Sequence, residues 1–564
     1  VKRIVVLLLA AFVLPGHDTC TPHTHEPPKP NVLLLYTDDQ PTSTFTDQYM
    51  PLTFREIVNK GVNFARSYAS VPVCCPDRAG TYSGNWGHNT GVVFNGDTGE
   101  ATDAPGIDLP NGGITAMDWG TALPKILDDA GYHTALFGKV MNAHEELCTA
   151  TEPPATCTVP VGFDRFVSVT QDGFNFLGED SDWYVGSPTG AGTASNYQYN
   201  DDGVLKFAHT VRDETPVVGP FDCVQEKTCH NVTVDSTCNA LADCTWNGTR
   251  CDVTNCTEAD ANDYSTDLIR DLFLEWIDTV PTDEPWFAAI GYYAPHFDRG
   301  FYNLPPAARH DGIHAGVPVP DPPSFDEADV SDKPTWVQNA PSTIMTSAAG
   351  VIPNRTNYWQ RVRESLMAVD EANFEFLKRL DERGQGSNTI IIFVSDNGYL
   401  VGEHGLGMKN LPYEESARVP MAVRWLDKRP ASFPETSNLL VSNVDIAPTC
   451  VAAASISGSP SMDGADLEPI IGATVGMNWR TTILSEGWWP DSVPNQFPSI
   501  ITVHPDWAGV WRSDGWKLVD YATGEDEMYN LTTDPFELQN EIDNPTHDTV
   551  QSELESELAT LRAQ

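Results

Sequence analysis

Four short segments end in groups that could share one reaction. NVLLLYTDD (31–39) ends in Asp38 and Asp39, and YHTALFGK (132–139) ends in Lys139. PWFAAIGYYAPH (285–296) ends in His296, and TIIIFVSDNG (389–398) carries Asp396 and Asn397 near its end. Three carboxylates and a carboxamide are hard oxygen donors, which suit Ca²⁺ or Mg²⁺ rather than zinc. Like charges gathered in this way call for a divalent ion to hold them together. The cations available to join them are Arg78, Lys139 and Lys409. A divalent ion with converging cations makes a receptor for a tetrahedral oxyanion ester, whether sulfate, phosphate or phosphonate. This set lacks a nucleophile.

The elements that must position these groups are legible in the same segments. Each is a continuous apolar run, which reads as a strand buried on both faces, hence parallel and covered by helices. Helical patterns precede the later runs: TALPKILDDAG, YSTDLIRDLFLEWIDTV and YWQRVRESLMAVDEANFEFLKRLDERG, the last closed by Gly384. Alternating strand and helix predicts an α/β fold, a large doubly wound, mostly parallel sheet flanked by helices. In such sheets the ligand crevice lies outside the carboxyl ends of the strands, where all four runs put their polar residues. A single aspartate at a strand end is most often a turn or cap, but four runs agreeing favour a shared site. After about residue 455 short aromatic-rich strands with turn residues predict a small antiparallel sheet, followed by a helix from about 547. The expected organisation is therefore a catalytic domain over 31–455 and a C-terminal subdomain over 456–564.

Composition narrows the function classes. The chain has 564 residues, and 79 acidic against 33 basic residues give a net charge of −46. That excludes nucleic acid as an expected partner, and any anion site must be built from a few local cations. Lys2 and Arg3 precede an apolar run from Ile4 to Leu14, which is too short to span a bilayer and reads as a signal peptide over 1–19. A linker over 20–30 follows. A secreted, periplasmic or extracellular protein with no stable membrane span is expected. A lipid anchor at Cys20 is the weaker alternative, because His17, Asp18 and Thr19 are not the small residues that usually precede one. Twelve cysteines suit export. Six of them, at 223, 229, 238, 244, 251 and 256, read as a disulfide-stapled insertion over 220–256 rather than a zinc site, since no Cys-x-x-Cys pair occurs there. Cys148 and Cys157 are spaced to close a short loop, and Asn231, Asn247, Asn255, Asn354 and Asn530 begin sequons.

The stretch CCPDR (74–78) supplies the missing group. With Cys74, Pro76 and Arg78 it resembles the signature of the type I sulfatases, within the alkaline phosphatase superfamily. The resemblance runs from about residue 30 to 540 and takes in NVLLLYTDD, SGNWGHNTG, AGYHTALFGK, YYAPH, SDNGYLVGEHGLGMK, YEESARVP, VSNVDIAPT and MYNLTTDPFELQN. The CCP pair and SFDEADVSDKP look most like the N-acetylglucosamine-6-sulfatase and heparan endosulfatase branch. The resemblance implies that a maturation enzyme oxidises Cys74 to formylglycine. One hydroxyl of the aldehyde hydrate would bind metal and attack sulfur, and the other would be deprotonated to expel sulfate. It further implies that Asp38, Asp39, Asp396, Asn397 and the modified Cys74 bind Ca²⁺, in preference to Mg²⁺. Arg78 would hold the hydrate, Lys139 and Lys409 would grip sulfate oxygens, and His296 would face the ester as a proton donor. His404 and Asn142 follow as second-tier substrate contacts, while Cys75 is implied to be a packing residue. The expected function is a secreted calcium-dependent sulfatase acting on a sulfated sugar or polysaccharide.

Two positions depart from the pattern. The fourth motif position is usually Ser, sometimes Ala or Thr, and here it is Asp77. A carboxylate there could weaken the sulfate site, pair with Arg78 or point outward. Many sulfatases also carry His two residues after the lysine, where this chain has Val140, Met141 and Asn142. The Asn is similar to the glucosamine-6-sulfatase-like branch. Two alternatives stand beside the sulfatase: a phosphodiesterase or phosphonate hydrolase of the same superfamily, and a non-catalytic sulfated-glycan binder disabled by Asp77. The insertion 220–256 and the loop 300–350 are expected to shape substrate access.

Overall fold

The computed structural model describes residues 29–95, 112–142, 158–169, 264–296, 306–340, 355–428, 436–471, 478–489 and 504–564, and the backbone of strands at 195–201, 204–210, 244–246 and 251–253. The expected leader, Cys20, the Cys148–Cys157 loop and the sequons at Asn231, Asn247, Asn255 and Asn354 lie outside the described residues, as does most of the cysteine-rich insertion.

The apolar runs form the centre of one large sheet. In chain order its strands are β1 (Asn31–Thr37), β2 (Val62–Tyr68), β3 (His133–Gly138), β4 (Arg165–Val169), β5 (Ser195–Asp201) and β6 (Val204–Thr210). A separate short hairpin pairs β7 (Cys244–Trp246) with β8 (Cys251–Val253). The large sheet continues with β9 (Trp286–Gly291) and β10 (Thr389–Ser395). A second hairpin pairs β11 (Leu400–Val401) with β12 (Gly407–Met408), and β13 (Met421–Arg424) and β14 (Thr436–Ser442) complete the large sheet. The ten strands lie in the order β14-β2-β13-β10-β1-β9-β3-β4-β5-β6. The neighbours from β10 through β1, β9 and β3 to β4 are all parallel. Antiparallel pairing occurs at β10–β13, β13–β2, β4–β5 and β5–β6, so the sheet is parallel at its centre and mixed towards both edges.

Side-chain alternation builds a core on each face. Val32, Leu34 and Tyr36 of β1 pack into a cluster with helices α1 (Cys74–Ser83), α2 (Leu123–Asp129) and α5 (Ile446–Ala453). Leu33 and Leu35 face the opposite cluster, formed by α3 (Ser265–Thr279) and α4 (Arg355–Glu382). Helices on both faces are the doubly wound arrangement expected from the sequence. Burying each such leucine fully contributes about 1.5–3 kcal/mol, which fixes the strand register that the site depends on.

The chain ends in a four-stranded antiparallel sheet of β15 (Thr482–Gly487), β16 (Trp507–Arg512), β17 (Trp516–Tyr521) and β18 (Glu527–Asn530), followed by α6 (Asp548–Leu561). Its apolar face shares a core with Tyr68, Trp86, Ala417, Leu440 and Val444 of the larger unit.

Candidate active site

The carboxyl ends of four adjacent parallel strands converge. Asp38 and Asp39 follow β1, Asp396 and Asn397 follow β10, Lys139 follows β3, and His296 closes the turn after β9. Gly138 leaves β3 with a φ of +98°, and its missing side chain matters, since a Cβ there would lie 2.1 Å from the Gly291 carbonyl. That close approach lets the Lys139 amide donate to Gly291 O at 2.7 Å, which holds the lysine at the crevice.

Cys74 is the first residue of α1, preceded by Val73 in extended geometry. Pro76 fits because the first turn of a helix leaves its amides without intrahelical acceptors. The helix N-terminus therefore directs amides and positive dipole at position 74. The Cys74 thiol donates to Asp38 Oδ1 at 3.4 Å, and Lys409 Nζ lies 2.8 Å from its Sγ. Burial pushes the thiol well above its ordinary range, and the Asp38 charge adds to that. The unmodified sulfur is thus a weak nucleophile.

Three cations face three carboxylates. Arg78 is fully buried and donates from Nε to Asp396 Oδ2 at 2.9 Å, from Nη1 to the Lys139 carbonyl at 2.8 Å and from Nη2 to Asp38 Oδ2 at 3.5 Å. Its guanidinium carbon lies 4.5 Å from the centre of the Tyr36 ring. Lys139 contacts Asp38 Oδ2, and Lys409 contacts Asp39 Oδ1. His296 Nε2 stands 3.6 Å from Asp39 Oδ2. Burial alone would raise Asp38, but Lys139, then His296, Arg78 and Lys409, hold it well below the usual carboxylate range. Asp396 is pushed up to about 6 by burial and by Asp38. Lys409 returns to the site because β11 and β12 fold the GEHG segment back on itself.

The donor set fits a hard divalent cation. One oxygen of Asp38, one of Asp39, the Cys74 sulfur and a ring nitrogen of His296 lie within 4.8 Å of one another. Asn397 Nδ2 donates to Asp39 Oδ1 at 2.6 Å, while Asn397 Oδ1 is buried with no hydrogen-bond partner. An orphaned buried acceptor beside three carboxylates is the vacancy a cation resolves.

Asp77 takes none of the three orientations weighed from the sequence. It is fully buried and turned away from Arg78, accepting from Tyr36 Oη and Asn443 Nδ2, both at 2.5 Å, and from the Ser70 amide at 2.9 Å. Burial pushes its carboxyl up to about 8. A protonated Asp77 can donate to the Tyr36 hydroxyl, which then donates to Thr81 Oγ1 at 2.9 Å. Asp77 therefore belongs to the packing beneath the site.

The second-tier residues part company. Asn142 lies beside the motif, its amide donating to Cys75 Sγ at 2.8 Å and its Oδ1 accepting from that thiol at 3.4 Å. Cys75 is thus a hydrogen-bonding partner as well as a packing residue. His404 is placed elsewhere, in a buried cluster with Glu327, Glu415 and Glu537. Sequence reasoning gave no role to Asn443 or Asn95, which support α1 from Asp77 and from the Cys75 amide at 3.0 Å. Asn443 lies within VSNVDIAPT, so its segment was noticed but its partner was not.

Comparison with known proteins bears on the family and the fold. The sulfatase family model matches residues 30–456, and a model for the C-terminal region of N-sulphoglucosamine sulphohydrolase matches 402–564. The chain is 28% identical to an arylsulfatase of Volvox carteri, covering 94% of this chain and 74% of that protein. It is 25% identical to the N-acetylglucosamine-6-sulfatase of Homo sapiens, covering 91% and 81%. A solved protein in complex with its substrate D-glucosamine-2-N,6-O-disulfate has a similar fold, with a TM-score of 0.64, 20% identity and coverage of 95% and 98%.

Proposed function

The chain belongs to the sulfatase family, and from that premise we propose that it is an exported, calcium-dependent enzyme removing sulfate esters from a sulfated sugar, with formylglycine at position 74. Cys74 carries the reading. Its sulfur lies 3.4 Å from Asp38 Oδ1 and 2.8 Å from Lys409 Nζ at a helix N-terminus, and a thiol raised by burial has no use there unless it is converted. Once formed and hydrated by water, the aldehyde would supply one hydroxyl to attack sulfur and a second whose deprotonation expels sulfate and restores the aldehyde.

Asp38, Asp39, Asp396 and Asn397 would hold Ca²⁺, which supplies fixed positive charge beside the reacting oxygens. The three carboxylates balance Arg78, Lys139 and Lys409 in charge. Lys139 and Lys409, which contact Asp38 and Asp39, would grip the sulfate oxygens. Arg78 stays anchored on Asp396 and orients position 74. His296, partly exposed with its Nε2 3.6 Å from Asp39 Oδ2, would protonate the departing sugar oxygen. Asn142 would contact the substrate beyond Lys139.

The sulfated-sugar reading draws on the acetylglucosamine-6-sulfatase named above and on the disulfated glucosamine held by the fold neighbour. The deciding experiment is a mass spectrum of the tryptic peptide SYASVPVCCPDR (67–78), from protein made with a formylglycine-generating maturation enzyme. The aldehyde at Cys74 is expected, with turnover of 6-sulfated glucosamine exceeding that of an aryl phosphodiester. Thiols at both cysteines, or a preference for the phosphodiester, would overturn the proposal.

A further inference from the structure

The strongest unassigned group of side chains lies beneath the loop that carries Lys409. One ring nitrogen of His404, one oxygen of Glu415 and one of Glu537 lie within 4.8 Å of one another. His404 is 2% exposed, and its Nδ1 is engaged by Glu327 Oε2 at 2.7 Å. That leaves Nε2, which is buried and has no hydrogen-bond partner. Glu415 shows the same asymmetry, with Oε1 accepting from Ser324 Oγ at 3.2 Å and Oε2 buried and unpaired. A carboxylate on one imidazole nitrogen, with the other nitrogen buried and unpaired and two further carboxylates beside the ring, is the arrangement by which proteins orient a metal-binding histidine.

The local charges point the same way. Glu327, Glu403, Glu415 and Glu537 crowd this region. The cations facing them are Lys333 beside Glu327, Lys517 beside Glu537 and Arg355 beside Glu403. The Lys517 ammonium is also held by the Pro412 carbonyl at 2.6 Å and lies 4.8 Å from the centre of the Trp511 ring, so it is fixed on Glu537. Glu415 has no ion pair of its own among the described residues. His404 Nε2 and Glu415 Oε2 lack partners, whereas Glu537 accepts from Lys517 on Oε1 and from the Glu414 amide on Oε2 at 2.8 Å, and a divalent cation would satisfy the first two.

We propose that His404, Glu415 and Glu537 form a second metal site, distinct from the oxygen-rich one at Cys74. One imidazole with two carboxylates suits a borderline divalent ion of the zinc type rather than calcium. The site ties three separate pieces of chain together: the segment after β11, the turn at Glu414–Ala417 and Glu537 after β18. That segment contains three non-glycine residues with left-handed backbone, His404 (φ 55°), Met408 (φ 79°) and Asn410 (φ 65°), and Lys409 lies between the last two. Such a backbone persists only where its surroundings hold it, and the metal would be one of the holding contacts. This inference is independent of formylglycine and of the sugar.

The test uses the full chain, stripped of metals and reloaded with Ca²⁺, then titrated with ZnCl₂ by calorimetry. One equivalent of Zn²⁺ is expected to bind, and the Asp39→Asn variant, altered only at the first site, should bind it equally well. Glu415→Gln keeps the acceptor for Ser324 and is expected to weaken Zn²⁺ binding at least about tenfold. Co²⁺ added to the Ca²⁺-loaded protein provides a second reading, because nitrogen-containing four-coordinate Co²⁺ absorbs visibly, and the band should persist in Asp39→Asn and be lost in Glu415→Gln. No Zn²⁺ uptake by the Asp39→Asn protein, unchanged affinity in Glu415→Gln, or only the weak octahedral Co²⁺ spectrum would each show a metal-free polar network instead.

Discussion

Asn443 and Asp77 are 366 residues apart in the chain, and the Asn443 amide donates to Asp77 Oδ2 at 2.5 Å. This contact explains how an aspartate can occupy the fourth position of the sulfatase motif without spoiling an anion site. The carboxyl is aimed at Asn443, Tyr36 and Ser70, and its elevated pKa reduces the charge it brings. The same Asn443 amide reaches the Ser395 carbonyl at 2.9 Å, so one side chain braces both α1 and the end of β10.

Asp77 should therefore leave a mark on stability against pH. Its folded pKa of about 8 stands above the ordinary 3.8, so between these values the folded chain holds a proton that the unfolded chain has lost. Stability from this group is full below about pH 4 and declines as pH rises through about 8. Urea unfolding across this range should show the wild type losing stability relative to Asp77→Asn as pH rises. Parallel curves would mean that Asp77 is ionised throughout. Asp77→Ala should cost about 1–3 kcal/mol, because the buried Ser70 amide and Asn443 lose their acceptor.

Arg78 should prove structural as well as functional. Its three donors run in different directions, to Asp396, the Lys139 carbonyl and Asp38. Removing it strands buried carboxylates, and Arg78→Ala is expected to lose about 3–5 kcal/mol by chemical denaturation. Arg78→Lys should recover little, since an ammonium cannot reproduce the planar fork. A lysine variant of full stability would show that charge alone suffices.

Lys139 and Lys409 are expected to act on the reaction more than on the fold. Each contacts a carboxylate that a cation would otherwise satisfy. Alanine at either position should lower kcat/KM by about 10²–10³-fold, as for loss of one charged donor to a transition state. Unfolding midpoints measured with Ca²⁺ present should change little by comparison. A large loss of stability with a small loss of rate would reverse these roles.

Much of this arrangement was legible before any coordinates. Uninterrupted apolar runs such as TIIIFVS admit few readings, and a parallel sheet sends their ends to one crevice, so Asp38, Lys139, His296 and Asp396 could be gathered on the page. The helix beginning at Cys74 was not read, because CCPDRAGTYS has weak apolar periodicity and a proline that suggests a turn. Its helical state depends on burial against Tyr36 and Val441, far away in sequence. The direction of Asp77 was illegible for the same reason. The resemblance assigned His404 to the substrate, but its ring is held by Glu327 in a cluster with Glu415 and Glu537, a long-range arrangement that the sequence does not display.

Removing the proposed Ca²⁺ should take away the partner that Asn397 Oδ1 and the three carboxylates would share. Asn397 Oδ1 is buried and unpaired, and Asp38, Asp39 and Asp396 stand together. Chelation should lower both the unfolding temperature and the turnover, and added Ca²⁺ should restore both. Asn397→Ala should need more Ca²⁺ for the same recovery while keeping the fold. Activity indifferent to exhaustive chelation would count against the calcium assignment.

Cys75 provides the last expectation, and it reverses the idle role implied for it. Its sulfur accepts the Asn142 amide at 2.8 Å, and its thiol donates to Asn142 Oδ1 at 3.4 Å. Those two bonds fasten α1 to the segment 139–142, which carries Lys139. Cys75→Ala deletes both and leaves a buried amide unsatisfied, at about 1–3 kcal/mol. Cys75→Ser keeps a donor and an acceptor at shorter reach and should fall between. If the sulfur fixes where Lys139 sits, Cys75→Ala will also lower kcat/KM by up to about 10²-fold, the cost of a displacement near 1 Å. Aldehyde formation at Cys74, read on the same tryptic peptide, should be unchanged. A variant that is converted normally and turns over at the wild-type rate would return Cys75 to packing alone.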